Sequence, residues 1–174
     1  MNAGNPNIYE IREDSDRNKS YPEIVLGGHY TFKNGINIIG EYIYNGQGYD
    51  GSEWDELTGF IKYSYDNYKG GYLADLMRLN LLQANRIMTF RQMRRNYIFT
   101  RISDPALFSR TDAALVVLIN ADDGSYLTNP SLDYKIDENS SIGFNMLFFN
   151  GRKDMEFGMT HWGSEGSLVY KYLF

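Results

Sequence analysis

The sequence lacks cysteine and has no long apolar run. The absence of cysteine excludes disulfide scaffolds, thiol nucleophiles and cysteine-based metal sites, and it is compatible with passage through an oxidising compartment. A transmembrane helix needs roughly 18 or more consecutive apolar residues. The longest uninterrupted apolar stretch covers only residues 113–119, so a helical membrane span is excluded.

An excess of basic residues is also missing. The 17 lysines and arginines are outnumbered by 22 aspartates and glutamates, which gives a formal net charge of -5. Since nothing in the sequence resembles a basic face, we expect no nucleic-acid partner. Residues 1–6 have neither the basic nor the apolar region of a secretory signal. Either the protein is cytosolic, or the chain is not the whole gene product.

Aromatic residues and glycine are abundant, with 15 tyrosines, 10 phenylalanines, two tryptophans and 17 glycines. This mixture favours strands and turns over helices. From Ile24 onward, one face of an extended chain would be apolar, Asn34-Gly35 follows as a strong hairpin signal, and the alternation resumes up to Asn45. The pattern predicts an antiparallel hairpin.

The same period of two returns in the C-terminal part of the chain. It predicts five further strands, separated mostly by polar and glycine-containing turns, at residues 96–102, 113–120, 126–136, 142–149 and 168–174. For residues 96–102 the pattern does not say which face is apolar. Strands of about nine to eleven residues match a tilted bilayer crossing. We therefore expect about seven crossings.

One long segment, residues 46–92, breaks this pattern. Leu73, Leu76, Met77 and Leu81 recur at spacings of three and four, which predicts an amphipathic helix. Residues 53–68 fit either a second helix or a strand. We expect a polar leader or extracellular loop at residues 1–20 and a β-barrel segment at 21–174, with 46–92 as a long, partly helical loop insertion whose part 72–90 is a candidate plug.

The connections differ in length at the two ends of the predicted sheet. Short turns gather at one end, while residues 46–92 and 150–163 lie at the other, as in outer-membrane barrels. The last residues, 166–174, resemble the closing strand of bacterial outer-membrane β-barrel proteins, and stretches 118–125, 130–132 and 156–158 are more loosely similar to porin-like and alginate-export-like barrels. In that family an apolar pattern ending in an aromatic residue is the signal for the barrel-assembly machinery, and here it is formed by Leu168, Tyr170, Tyr172 and Phe174.

The resemblance implies an all-β, antiparallel up-and-down transmembrane barrel in a bacterial outer membrane, with membrane lipid and lipopolysaccharide around it. Strands with unpaired edges cannot sit in lipid, so strands of this length would have to close into a barrel. Apolar faces and aromatic strand ends would then meet lipid. We predict the following lumen-lining or selectivity residues: Lys33, Glu41, Arg94, Arg95, Asp133, Lys135, Asn145 and Lys171.

Other chemistries are less well supported by the sequence. His29 and His161 have no serine or acidic partner at a recognisable spacing, so we expect no catalytic residues and no enzyme. The acidic residues around Asp50 and Glu53 lack the spacing of a calcium loop, and we expect no metal or other cofactor. A basic stretch could meet lipopolysaccharide, line a pore or solvate a helix and a strand end, and it consists of Arg86, Arg91, Arg94, Arg95 and Arg101. A soluble sandwich or lipocalin-like barrel would also alternate, but it predicts neither the terminal aromatic residue nor the loop asymmetry.

These expectations combine into a porin or channel for small polar or anionic solutes, with selectivity set by wall charges. The alternative is a non-conducting barrel whose loops 46–92 and 150–163 bind a surface ligand or partner. Bacterial single-chain barrels close with an even number of strands, at least eight. Seven strands entered from the long-loop side would need another before residue 21, so we expect the chain to be the C-terminal portion of a larger barrel.

Overall fold

The computed structural model describes residues 20–88, 93–159 and 163–173. It is mostly β, with seven antiparallel strands that neighbour one another in chain order, and two helices between the second and third strands. The strands are β1 Glu23–Thr31, β2 Asn37–Asn45, β3 Asn96–Leu107, β4 Thr111–Asn120, β5 Tyr126–Lys135, β6 Ser140–Asn150 and β7 Ser164–Tyr172. The predicted seven-stranded up-and-down order is confirmed. Within the described residues the sheet is open, with β1 and β7 at its edges.

Four strands, β3, β4, β6 and β7, are longer than the sequence predicts, and β3 and β7 show the largest extensions. β3 continues to Leu107 because its ladder with β4 includes Asp104 opposite Ala113 and, after an irregularity, Leu107 opposite Thr111. Pro105 lies inside this irregularity, where a missing backbone donor is tolerated. β7 begins at Ser164 because its ladder with β6 extends to Phe148. The predicted last residue of that strand, Phe174, lies outside the described residues.

The helices are α1, Gly51–Lys69, and α2, Ala74–Ile87. The open question about residues 53–68 is thus answered in favour of a helix. α1 begins with a capping box, in which the Asp50 side chain accepts from the Glu53 backbone N–H at 2.9 Å and the Glu53 side chain accepts from the Asp50 backbone N–H at 3.0 Å. This arrangement satisfies two donors that a helix start leaves open.

The chain divides into two compact units. The helical unit comprises residues 20–22 with the described part of residues 45–95, and the sheet unit comprises residues 23–44 with the described residues from 96 onward. In the helical unit α1 buries Trp54, Leu57 and Phe60 along one face, and α2 buries Met77 and Ala84. Neither helix has the combination of length and apolar character that spanning a bilayer takes.

Candidate functional site

One face of the sheet, here named the apolar face, carries alternate residues from every strand. Residues directly opposite in an antiparallel ladder share a face. Following the paired residues from strand to strand therefore gives rows of side chains that cross the sheet on one face. One such row begins at Tyr42 and continues through Ile98 and Ile119 to Tyr126. Another contains Ala113, Leu132, Phe144 and Leu168. The register places the side chains of β2, β4, β5, β6 and β7 in these rows on one face, as the alternation predicts, and it assigns Ile98, whose side the sequence left open, to the same face.

The apolar face is exposed. In the described strands, the large apolar side chains that are exposed lie on this face, apart from Val25 and Val169 on the two edge strands. Leu132 is 46% exposed although it belongs to the interior strand β5, and Leu168 is 71% exposed. A contiguous exposed apolar surface of this kind marks a membrane or protein interaction site in natural proteins.

The opposite face, here named the polar face, changes character along the strands. Nearest the short turns is a row with Lys135, Ser141 and Lys171, and next to it Asp112 lies opposite Asp133. A row of small residues, all polar except Ala114, then crosses six strands, and it consists of Asn37, Ser103, Ala114, Ser131, Asn145 and Ser167. This face therefore presents charges, hydroxyls and amides where the apolar face presents hydrocarbon.

A concavity of about 420 Å³ lies on the polar face, and we name it the polar trough. Its lining includes Arg101, Ser131, Asp133, Asn145 and Lys171. The volume falls within the range of roughly 300–1,000 Å³ found for small-molecule sites. The walls come from β3 to β7, so the trough belongs entirely to the sheet unit.

Two of the three acidic residues that line the trough, Asp112 and Asp133, are paired with lysines, and the third is Asp104. Asp112 and Asp133 are directly opposite one another, an arrangement that is destabilising for like charges. Lys135 Nζ lies 3.4 Å from Asp112 Oδ2, and Lys171 Nζ lies 3.2 Å from Asp133 Oδ2. These pairs are partly exposed and add little stability. Their main consequence is that Asp112 and Asp133 each have a counter-charge of their own.

Five of the residues predicted to line a lumen lie on strands at the polar face: Glu41, Asp133, Lys135, Asn145 and Lys171. Of these, Asp133, Asn145 and Lys171 line the trough. Lys33 lies instead in the turn between β1 and β2.

Arg94 and Arg95 precede β3 and belong to the helical unit. The Arg95 guanidinium lies 3.4 Å from both the Asp50 and Glu53 carboxylates, and its Nε donates to the Gly48 carbonyl at 2.9 Å. Arg94 lies with its guanidinium 5.2 Å from the centre of the Trp54 ring. The structure thus places both arginines against the start of α1 and not on the polar face.

The Asp50 carboxyl at this helix start has a pKa below its usual value. The main cause is the hydrogen bond from the Glu53 backbone N–H, and the positive charge of Arg95 acts in the same direction. Both interactions favour the charged form. Asp50 and Glu53, which the sequence offered as part of an acidic cluster, therefore serve as helix-capping groups here.

A buried carboxylate that the sequence did not single out connects the β6–β7 loop to the sheet. Glu156 accepts a hydrogen bond from the Tyr97 hydroxyl, 2.7 Å from its Oε2, and another from the Asn120 amide, also at 2.7 Å. Its backbone N–H donates to Asp123 at 2.8 Å. Tyr97 and Asn120 are fully buried. We name this cluster, Glu156 with Tyr97, Asn120 and Asp123, the loop latch.

Several apolar side chains on the polar face lie in rows next to the latch. Ile43 lies directly opposite Tyr97, and the next row contains Phe99, Leu118, Leu127 and Phe149. Phe157 of the loop lies with its ring centre 6.5 Å from that of Tyr97. Gly158 permits the tight loop backbone, because a Cβ there would collide with the Arg152 carbonyl oxygen. These apolar side chains therefore surround the base of a folded loop.

In the part of the chain that the structure describes, the two histidines and Arg91 are not brought together with other candidate residues. His29 is exposed on β1, while His161 and Arg91 lie outside the described residues. No group of three or more histidine, aspartate or glutamate side chains in the described ranges is arranged to hold a metal ion. Comparisons with protein-family models, with curated proteins and with solved structures gave no match to this chain.

Proposed function

We propose that the chain forms part of the wall of a β-barrel in a bacterial outer membrane, and that small polar or anionic solutes pass through this barrel. The observation that carries the proposal is the exposed apolar face, backed by a polar face across the same strands. Water on both sides would leave the apolar face uncovered. Lipid on one side and water on the other matches both surfaces.

The energetics favour a lipid cover. Each large apolar side chain moved fully from water into an apolar medium contributes about 1.5–3 kcal/mol. The strands are nine to twelve residues long, which matches the roughly 9–11 residues of a tilted transmembrane strand. Strand length and surface chemistry thus support the same environment.

Tyrosines occur towards both ends of the apolar face. Tyr42 and Tyr126 lie in a row towards the long-loop end, whereas Tyr134 and Tyr170 flank Ile142 towards the short-turn end. Aromatic girdles at the two interfaces are typical of outer-membrane barrels, because the ring prefers hydrocarbon and the hydroxyl prefers water. This distribution supports the same orientation of the strands across a bilayer.

Closure of the barrel follows a parity rule. β1 and β7 run in the same direction, since six antiparallel steps separate them. A ring in which every neighbour is antiparallel therefore needs an odd number of further strands between these two edges. On this proposal the polar face forms part of the lumen wall, and solutes diffuse along its hydroxyls, amides and paired charges.

The proposal is tested with a matched pair of cysteine variants, which the cysteine-free sequence makes straightforward. The two variants are Ser131→Cys and Leu132→Cys, whose positions are adjacent on β5 but face opposite sides of the sheet. After spin labelling in vesicles, a label at 132 should collide preferentially with oxygen dissolved in lipid, and one at 131 with a water-soluble nickel reagent. Equal access of the nickel reagent to both positions would contradict a membrane wall.

The alternative, a non-conducting barrel with ligand-binding loops, is favoured by the tyrosines of the helical unit. Tyr65, Tyr68 and Tyr72 are all exposed, and Lys69 lies 4.9 Å from the ring centre of Tyr65. Such side chains are common in binding surfaces. Conductance in planar bilayers separates the two functions, because discrete ion-permeable steps are expected only of the channel.

A further inference from the structure

Two neighbouring turns at the short-turn end of the sheet each expose a phenylalanine beside a basic residue. In the turn between β1 and β2 these residues are Phe32 and Lys33, and in the turn between β3 and β4 they are Phe108 and Arg110. Phe108 is 86% exposed, which leaves nearly its whole ring outside the protein. We name these four side chains the turn patch.

The two turns of the patch are in contact and carry only positive charge. A Cβ at Gly35 in the first turn would lie 3.8 Å from the ring of Pro105 beside the second. Residues 31–36 and 105–111 contain two basic side chains and no carboxylate. The β5–β6 turn at the same end, residues 136–139, has the reverse composition, with two carboxylates and no basic side chain. The end of the sheet is therefore divided by charge.

The carboxylates that flank the second turn do not pair with the patch. Asp112 lies 3.4 Å from the Nζ of Lys135, and Asp104 accepts a hydrogen bond from the Ala106 backbone N–H at 3.0 Å. In the part of the chain that the structure describes, neither basic side chain of the patch forms an ion pair. Both cations are thus available to an anionic partner.

The register places Phe108 just beyond the apolar face. Leu107 lies directly opposite Thr111, which lies opposite Tyr134 on that face. Phe108 follows Leu107, so its backbone is one residue further towards the end of the sheet than this row, or roughly 3 Å. If a bilayer covers the apolar face, the patch lies at the level of the lipid headgroups.

The backbone holds Phe108 in a conformation that is unfavourable for this residue type. Phe108 has φ 54° and Ser109 has φ 67°, both in the left-handed region. That region is costly for residues other than glycine, and the first turn uses Gly35 at its own positive φ of 91°. Strained backbone positions are concentrated at functional contacts. An exposed phenylalanine kept at such a position supports a binding role for the turn.

We propose that the turn patch binds the headgroups of anionic phospholipids, with Lys33 and Arg110 at the phosphate groups and the two phenylalanine rings at the boundary between headgroups and acyl chains. Apolar rings beside basic side chains are typical of that boundary. Each basic residue close to an anionic lipid surface strengthens binding by about fivefold. The positive charge of the patch complements such lipids, whereas the acidic β5–β6 turn repels them.

This inference rests on the proposed function in one respect, namely that lipid covers the apolar face and so brings headgroups to the level of the turns. It adds a lipid class and a binding surface that the proposed function does not specify. It also gives Lys33, which lies in a turn and not on the polar face, a partner of its own.

The test uses the cysteine-free chain folded into phosphatidylcholine vesicles, with a fluorescent label on one introduced cysteine. Asn34→Cys places the label in the patch, and Asn139→Cys places it in the acidic β5–β6 turn, and both positions are exposed. The vesicles contain equal fractions of nitroxide-labelled phosphatidylglycerol or nitroxide-labelled phosphatidylcholine as the quencher. At position 34 the anionic lipid should quench about twofold or more strongly than the zwitterionic lipid. At position 139 it should quench no more strongly.

Removing both cations tests the role of charge. Lys33→Gln combined with Arg110→Gln should lower the lipid preference at position 34 to that at position 139. Lys62→Gln combined with Lys153→Gln is the matched control, because it removes two positive charges at exposed positions outside the patch. The control should keep the preference of the unaltered chain. High salt should weaken the preference, since it screens exposed charges.

Phe108→Ser tests the role of the rings. It should reduce quenching by both lipids at position 34, because the turn loses a side chain that holds it at the headgroup boundary. Equal quenching by the two lipids at position 34, or equal losses of preference in the two double variants, would overturn the proposal. If the Lys33 and Arg110 double variant does not fold, the comparison of positions 34 and 139 decides the question.

The spin label at position 132 separates this inference from the function on which it rests. A preference for phosphatidylglycerol at position 34, in a chain whose position 132 is open to the nickel reagent, supports the patch and contradicts the membrane wall. Equal quenching by the two lipids, in a chain whose position 132 meets lipid, supports the wall and contradicts the patch.

Discussion

The helical unit has a buried apolar core, although Leu79 and Leu82 of α2 are exposed, whereas the sheet unit exposes whole rows of large apolar side chains on one face. In the helical unit Trp54, Leu57 and Phe60 are nearly inaccessible, and Met77 is completely so. In the sheet unit, whole rows of leucine, isoleucine and phenylalanine are exposed on one face. The helical unit thus follows the rule for a segment that folds in water. The sheet unit follows it only if its apolar face meets another apolar medium.

The largest expected effect on stability comes from placing a charged residue on the apolar face of the sheet unit. Leu132→Arg places a charge on that face, and in a lipid-exposed barrel strand such a change destabilises the inserted state by about 2–4 kcal/mol near the bilayer midplane. Urea titration of the chain folded into vesicles measures this loss. In water the same substitution at a half-exposed position would be nearly neutral.

Ser131→Arg is the control for that experiment, because it adds the same side chain one residue earlier on the polar face. Its stability in vesicles should change little. If both variants lose the same stability, or if neither does, the two faces do not meet different solvents and the contrast between the units loses its explanation.

Sequence alone could predict the strands but not their sides in every case. Alternation is unambiguous around Leu132 and Phe144, whereas Tyr97, Ile98 and Phe99 are apolar in succession. Only pairing of Ile98 with Tyr42 and Ile119 assigns it to the apolar face, and this in turn places Arg101 on the polar face. Register depends on distant partners, which a local pattern does not contain.

The loop latch was beyond prediction for a related reason. Glu156 is 59 residues from Tyr97 and 36 from Asn120, and no local spacing relates a loop glutamate to residues on two strands. The start of α1 combines a local and a distant feature. The three-residue spacing of the Asp50–Glu53 capping box is visible in the sequence. The contact of this box with Arg95, more than forty residues later, is not.

Removing the latch should have an intermediate effect, and it tests whether the sheet unit also has a conventional buried core at its long-loop end. Glu156→Ala leaves the buried Tyr97 hydroxyl and Asn120 amide without their acceptor, which destabilises by about 1–3 kcal/mol. The loop should then be cleaved faster by trypsin at Arg152 or Lys153. Glu138→Ala, in the exposed β5–β6 turn, is the control. Unchanged cleavage in Glu156→Ala would show that the latch does not hold the loop.

The smallest expected effect concerns pH and the start of α1, where the helical unit should behave as a water-exposed segment does. The pKa of Asp50 is lower in the folded chain than its usual value of 3.8, mainly through the hydrogen bond from the Glu53 N–H and also through Arg95. A lowered folded-state pKa means that the charged carboxylate stabilises the helix above the usual pKa. That contribution is lost as the pH falls below 3.8 and through the folded-state value.

Asp50→Asn separates this titration from the other acidic groups, because asparagine caps a helix about as well as aspartate but does not titrate. The free energy of unfolding is measured by urea titration, with the helical circular dichroism signal as the readout. It should fall more steeply below pH 4 for the unaltered chain than for the variant. Parallel pH profiles would show that Asp50 does not carry the dependence. Because Asp50 belongs to the helical unit, a signal from the sheet should show no difference between the two proteins, and this restriction to one unit is what distinguishes capping from a change in the whole chain's charge.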